Sequence, residues 1–446
     1  MSDVTLAGET TELLQALIRN ACVNDGSPES GEETRSSDLL QGFFEGAGLD
    51  TQRFESRPGR GSIVARIEGS DPNAPSLCLM GHTDVVPVSP DGWDHDPFGG
   101  ELIDGEVWGR GAIDMLNLTS SMAVAFRHLA RTGFRPKGDL IYFGVADEEN
   151  GGILGAEWMF DHHPEAIDAD YVLTELGGWS HVDPHGQRHV TVNIGEKGLS
   201  WRKLTVGGTP GHGSMPFGSD NALVKAAEIV RRLAEHRSSP LISEIWRAQV
   251  LTMGLDAELQ AKLLDPDSVY DAIAGFPVPI GRSCHALTHT TISPNIARGG
   301  QKTNVIPDTV DIEVDIRTLP GTTRADVDAL LADALGDLAQ HVEVAVLQEG
   351  EATQSPIESP LWDAVTRQTQ VAYPGAHLVP GLVVGGTDAR FYRDRGRVVY
   401  GAGLYSPDFT SEAFGNRFHG HNERIDVDSL ALATDFWIGI ARDLLG

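Results

Sequence analysis

Apolar positions recur along the chain with two different periods, and the change from one to the other divides it into successive elements. Residues 9–22 carry Leu13, Leu14, Leu17 and Ile18 at the three- and four-residue spacings of one helical face, and 36–47 repeat the pattern, so both predict packing helices. Short apolar runs at 62–67, 76–80, 140–145 and 171–174 predict strands, with helices over 118–131 and around 156–162 between them. From 197 to 350 the rhythm changes: strand 199–206, helix 221–236, strands 288–296 and 309–317, helix 324–338 and strand 342–347. That β-α-β-β-α-β order is a split βαβ plan and predicts a second domain with its own sheet, inserted into the first. An extra stretch, 238–283, is partly helical in pattern and bears no chemical signature. The first domain resumes with helix 360–371, strands 378–384 and 397–400, and a closing helix over 428–445. The expected division is therefore 1–196, 197–350 and 351–446, in the α/β class.

Several of these strands end in groups that are costly to bury. The run 140–145 leads into Asp147-Glu148-Glu149, so three carboxylates arrive together where a buried strand stops. Buried carboxylates need a cation or a cluster of donors, which makes a metal the first candidate; capping of a helix that starts near Gly152 is the alternative. The run 76–80 enters Gly81-His82-Thr83-Asp84. A histidine and an acid two residues apart on an extended segment point the same way, so His82 can offer one ring nitrogen to a metal while Asp84 fixes the imidazole from behind. Asp114 follows Gly109-Arg110-Gly111 just before a helix, where an N-cap is its ordinary role. Glu175 stands at the end of 171–174, and His419 opens a late His-Gly-His-Asn-Glu run. His162 and His163 lie at a helix end and suit its dipole.

In an open α/β sheet, functional groups gather beyond the carboxyl ends of the strands, so His82, Asp114, Glu148, Glu149, Glu175 and His419 can converge. Two histidines and three carboxylates complement two zinc ions that share one carboxylate, with the sixth group free as a base. Ligation by nitrogen and oxygen alone suits zinc best, with cobalt or manganese as substitutes.

Composition narrows the partners. A length of 446 residues with 40% apolar content predicts two or three domains, and 64 acidic against 34 basic residues give a net charge of −30, a field that repels phosphate backbones and argues against nucleic acid. Cys22, Cys78 and Cys284 are far apart and form no Cys-x-x-Cys pair, so they read as buried thiols in a reducing compartment. The amino terminus lacks a basic leader region and no apolar run approaches a membrane span, so a cytoplasmic protein without a membrane partner is expected.

Taken in order, Gly81-His82-Thr83-Asp84, Gly109-Arg110-Gly111-Ala112 with Asp114, Asp147-Glu148-Glu149, Glu175, Gly211-His212-Gly213-Ser214, and His419 with Asn422-Glu423 resemble the dizinc metallopeptidase family of aminoacylase, glutamate carboxypeptidase and succinyl-diaminopimelate desuccinylase. The resemblance covers nearly the whole chain. It implies a mixed-sheet α/β/α zinc-hydrolase domain with an inserted ferredoxin-like (βαββαβ) lid and dimerisation domain, and a homodimer. It further implies that His82 and Glu175 hold one zinc, that Glu149 and His419 hold the other, that Asp114 bridges and that Glu148 is the general base. His212 would stabilise the oxyanion, and Asn304 and Arg317 would grip the substrate carboxylate. His419 matches the family spacing, which leaves His421 as a solvated neighbour. Two departures stand out: Leu116-Asn117 replace the family's usual Lys-Gly, and the inserted domain is longer than usual. The implied reaction is hydrolysis of an N-acyl amino acid, a dipeptide or a related amide with a free carboxylate; a dizinc aminopeptidase and a non-catalytic metal-binding relative are the rivals.

Overall fold

In the computed structural model, which describes residues 5–446, the buried runs pair as the centre of a mixed sheet. Leu77–His82 lies between Leu140–Val145 and Tyr171–Thr174 and runs parallel to both, and Val398–Gly401 continues the parallel set beyond Tyr171–Thr174. On the other side, Gly61–Ile67 pairs antiparallel with Leu140–Val145, and Asp50–Glu55 pairs antiparallel with Gly61–Ile67. Parallel strands are covered on both faces, and alternation along Leu140–Val145 shows how. Ile141, Phe143 and Val145 pack with Met159, Phe160 and Tyr392, whereas Tyr142 turns to the opposite face, 5.2 Å from the Phe44 ring. There the helices Leu6–Arg19, Leu116–Arg131 and Val427–Leu445 pack on one another. Because the central strands are parallel, His82, the residues after Val145 and those after Thr174 all emerge at one end of the sheet.

The chain divides into two compact units. The first takes residues up to Ile194 with Ser355–Gly381 and Thr387–Gly446; the second takes Gly195–Gln354 with Leu382–Gly386. In the second, a four-stranded antiparallel sheet has the spatial order Thr291–Gly299, Thr309–Thr318, Gly198–Gly207, Val342–Gly350. Helices Ala222–Glu235 and Arg324–Leu335 cover one face, where Leu204, Ile312 and Ile316 meet Ile229, Leu233 and Leu331. The strand expected at 288–296 starts only at Thr291, because the chain is still helical through Val278–Thr288. Most of the 238–283 stretch is helical and builds a small core of its own around Trp246, whose Nε1–H donates to the Leu263 carbonyl at 2.8 Å.

Among the described strands of the large sheet, the short Ser180–Val182 and Thr353–Gln354 were not anticipated, nor were the longer Asp50–Glu55 and Arg188–Glu196. Asp50–Glu55 is an edge strand of mostly polar residues, which leaves little hydrophobic signal, whereas Arg188–Glu196 does carry one in the alternating Val190, Val192 and Ile194. All three cysteines are buried and free. Among the described residues, no helix is long and apolar enough to cross a membrane.

Candidate metal centre

Three of the functional groups are delivered by the parallel strands. His82 is the last residue of Leu77–His82, Glu175 follows Tyr171–Thr174 directly, and the Asp147–Glu149 turn follows Leu140–Val145. Asp147 takes a left-handed conformation, φ 69°, which Asp tolerates better than most side chains. It reverses the chain into the single turn Glu148–Asn150. Gly152, also left-handed at φ 69°, ends the reversal, and a Cβ there would lie 2.1 Å from Asp388 Oδ1.

The other two groups come from a distant pairing. Arg424–Asp426 lies antiparallel to Glu106–Trp108, so the segments beside these strands, His419–Glu423 and Gly109–Asp114, run alongside each other. A buried ion pair locks them. Glu423 accepts the Ile113 and Asp114 amides at 2.7 and 3.2 Å and the Arg110 guanidinium at 2.6 Å, and Arg110 also donates to the His419 carbonyl at 3.2 Å. The Leu116–Arg131 helix has Met115 as its N-cap, with no side-chain cap bond, so Asp114 is free of the capping role.

Asp114 instead faces two imidazoles. Its Oδ1 lies 3.2 Å from His82 Nε2 and its Oδ2 lies 2.8 Å from His419 Nε2. Around it the structure assembles two overlapping groups able to hold a metal ion, His82 with Asp114 and Glu175, and Asp114 with Glu149 and His419. Within each, the candidate donor atoms lie within 4.8 Å of one another. Glu148 belongs to neither group; its Oε2 is 4.0 Å from His82 Nε2. Asp84 stands behind His82, with its carbonyl 3.0 Å and its carboxylate 3.5 Å from Nδ1. His82, Asp114 and Glu175 are buried, and His419 is the exposed member.

So many acids in one enclosed place disturb each other's protonation. Burial pushes Glu175 up to about 8. Burial, then the charge of Glu175, raises Glu148 well above the usual carboxylate range. For Asp114 burial works upward too, yet the bonds to His419 and His82 outweigh it and hold the carboxyl well below that range. The histidines respond in kind: burial works downward on His419, but Asp114 and Glu149 raise it to about 10. Oε1 of Glu149 is buried with no hydrogen-bond partner. An imidazole and carboxylate donor set with an orphaned carboxylate oxygen fits divalent cations that favour nitrogen and oxygen.

The remaining site candidates lie in the second unit. Gly211–His212 pairs with Val305–Ile306, and the Gly213 amide donates to the Asn304 carbonyl at 2.8 Å, so His212 and Asn304 are neighbours. His212 Nδ1 accepts the Ser214 amide at 3.2 Å, which leaves its proton on Nε2. Arg317 is committed to Asp315, with Nε to Oδ1 at 2.8 Å and Nη2 to Oδ2 at 3.3 Å.

Several residues of the centre escaped the sequence reading. Arg110 and Glu423 stood in motifs without a role, because only the pairing of two distant strands shows what they hold. Asn24, Glu33 and Arg60 sit in unremarkable polar segments and are buried beneath the Asp147–Glu149 turn. Asp388, in the loop after 384, is buried with neither oxygen hydrogen-bonded, and burial pushes it up to about 7.

Comparison with known proteins shows what the chain is similar to. The sequence model described as peptidase family M20/M25/M40 matches residues 78–443. The N-fatty-acyl-amino acid synthase/hydrolase PM20D1 of Xenopus tropicalis is 28% identical over 393 residues, spanning 86% of this chain and 75% of that protein. Aminoacylase-1 of Sus scrofa is 28% identical over 387 residues, 85% of this chain and 82% of its own length. Among solved structures, the M20 family metallo-carboxypeptidase Sso-CP2 from Sulfolobus solfataricus superposes with a TM-score of 0.73 at 19% identity, covering 98% of this chain and 99% of that one.

Proposed function

The chain belongs to peptidase family M20/M25/M40, a family of hydrolytic enzymes, and from that membership we propose that it hydrolyses the amide bond of an N-acyl amino acid, a dipeptide or a related substrate with a free carboxylate, using two zinc ions. One observation carries the reading: Asp114 presents one carboxylate oxygen to each of two histidines and so joins two metal-holding groups into one site. The names of the Xenopus and pig relatives, an N-fatty-acyl-amino acid synthase/hydrolase and an aminoacylase, support the substrate class.

His82 and Glu175 would hold one ion, Glu149 and His419 the other, with Asp114 shared between them. Cobalt or manganese can substitute for zinc with these donors. When bound, such a pair supplies Lewis acidity that polarises a carbonyl and acidifies water. Glu148 is assigned as general base because it stands beside His82 without joining either ligand group: its carboxylate takes a proton from the attacking water and returns it to the departing amine. Asp84 keeps the His82 ring oriented.

The second unit is assigned as a ferredoxin-like lid and dimerisation domain, 197–350 between catalytic parts 1–196 and 351–446, on the support of its strand order and its two helices on one face. A homodimer working in the cytoplasm completes the reading; three buried free thiols support that compartment. With Nε2 protonated, His212 is ready to donate to an oxyanion. His212→Ala is therefore expected to leave the metal content intact and to lower kcat by roughly 100- to 1000-fold. Whether it serves its own subunit or the other is decided by mixing inactive Glu148→Gln and His212→Ala chains: activity regained in heterodimers means that it acts across the interface.

Asn304 and Arg317 are assigned to the substrate carboxylate. The commitment of Arg317 to Asp315 keeps a second reading in play, a dizinc aminopeptidase that binds a free amine instead. A panel of N-acyl amino acids, dipeptides and carboxyl-blocked peptides, assayed with and without chelator and with metal analysis, tests both. Turnover of N-acyl amino acids or dipeptides that a chelator abolishes and zinc restores is the expected result. Turnover confined to carboxyl-blocked substrates with a free amine overturns it.

A further inference from the structure

Beneath the Asp147–Glu149 turn, Asn24 is buried among charged groups. Its backbone is fixed first. The Asn24 amide donates to the Val85 carbonyl at 2.9 Å and the Val85 amide to the Cys22 carbonyl at 3.0 Å, so the chain just past His82 and Asp84 runs beside Cys22–Asn24. The side chain is then fully used. Nδ2 donates to Asp84 Oδ2 at 2.9 Å and to Asp147 Oδ1 at 3.2 Å. Oδ1 accepts from Arg60 Nη2 at 2.9 Å and from the Gly26 amide at 3.2 Å. This pattern fixes the amide orientation, because a flipped group would turn its carbonyl on two carboxylates and its NH2 on a guanidinium.

The two acids that Asn24 joins are the ones that hold the functional turn. Asp84 accepts the Glu148 and Glu149 amides at 3.3 and 3.1 Å, and Asp147 accepts the Leu154 amide at 2.8 Å beyond the turn. Arg60, itself buried, balances the charge from below, paired with Glu33 at 2.5 Å and with Asp147 at 3.4 Å. Without the NH2 between them, Asp84 and Asp147 would approach as like charges in an enclosed space.

We propose that Asn24 is a positioning residue of the hydrolytic centre, whose Nδ2 clamps Asp84 to Asp147 and so fixes the turn from which Glu148 and Glu149 project. It touches neither substrate nor reacting atoms and acts through Glu148, so the inference rests on the hydrolytic reading given above.

Asn24→Asp tests it, because this substitution keeps the size and the acceptor facing Arg60 but replaces the donor with a carboxylate oxygen. Expected are a kcat lower by roughly 10- to 100-fold at nearly unchanged KM, and amide exchange in 147–154 of the metal-free protein faster by about tenfold. Asn24→Ser removes the amide without adding charge and carries the same expectations if the aspartate variant fails to fold. A role in stability alone would lower Tm but leave kcat and exchange in 147–154 as they are, and that result overturns the proposal. So does faster exchange with unchanged kcat, or a fall in kcat with unchanged exchange. If the unaltered protein hydrolyses no amide at all, the hydrolytic reading fails instead, and exchange in the metal-free variants still decides whether Asn24 clamps the turn.

Discussion

Asp114→Ala is expected to empty both metal positions and to reduce hydrolysis to the background rate. The carboxylate has one oxygen on each side of the centre, 3.2 Å from His82 and 2.8 Å from His419, so a single truncation removes a donor from both groups at once. Each group then keeps two protein donors, His82 with Glu175 and Glu149 with His419, below the three that a catalytic zinc ordinarily has. His82→Ala, by contrast, strips one group and should lose one equivalent preferentially. Metal content after dialysis, measured beside turnover and a circular dichroism spectrum, separates the two variants. An Asp114→Ala protein that is folded and still holds two tightly bound ions would remove the shared-ligand assignment.

Glu148→Gln should do the reverse: keep both metals, keep KM, and lower kcat by about 100- to 10,000-fold. Glutamine has the shape of glutamate but cannot take up the proton of the attacking water. The distinction from its neighbour is geometric, since Glu149 lies 3.5 Å from His419 within a group able to hold a metal ion while Glu148 stands outside both such groups. Loss of a full metal equivalent in Glu148→Gln would mean that the two roles are exchanged.

His82, Glu148, Glu149 and Glu175 could be picked out in the sequence because each stands where a short apolar run stops, and parallel strands bring such ends together. His419 follows no such strand; its short family motif singled it out, and the pairing of Arg424–Asp426 with Glu106–Trp108 explains its position. The order of strands and helices in the second unit was equally legible, since amphipathic helices and alternating strands write their period directly. What stayed hidden depends on partners far away in the chain. Asn24 is 60 residues from Asp84 and 123 from Asp147, and nothing near Asn24 distinguishes it from a turn asparagine. Asp50–Glu55 was hidden for a different reason, because an edge strand half open to water needs few apolar side chains.

The place of Val398–Gly401 in the sheet has a consequence for how the protein is made. It is the parallel neighbour of Tyr171–Thr174, yet it leaves the ribosome more than two hundred residues later. At ordinary translation speeds of about 5 to 20 residues per second, one edge of Tyr171–Thr174 waits unpaired for roughly ten seconds or longer. Throughout that interval the nascent chain exposes strand hydrogen-bonding groups beside apolar surface, the combination on which aggregation feeds. His419 is synthesised later still, so no nascent chain that stops short of it can bring Asp114, Glu149 and His419 together.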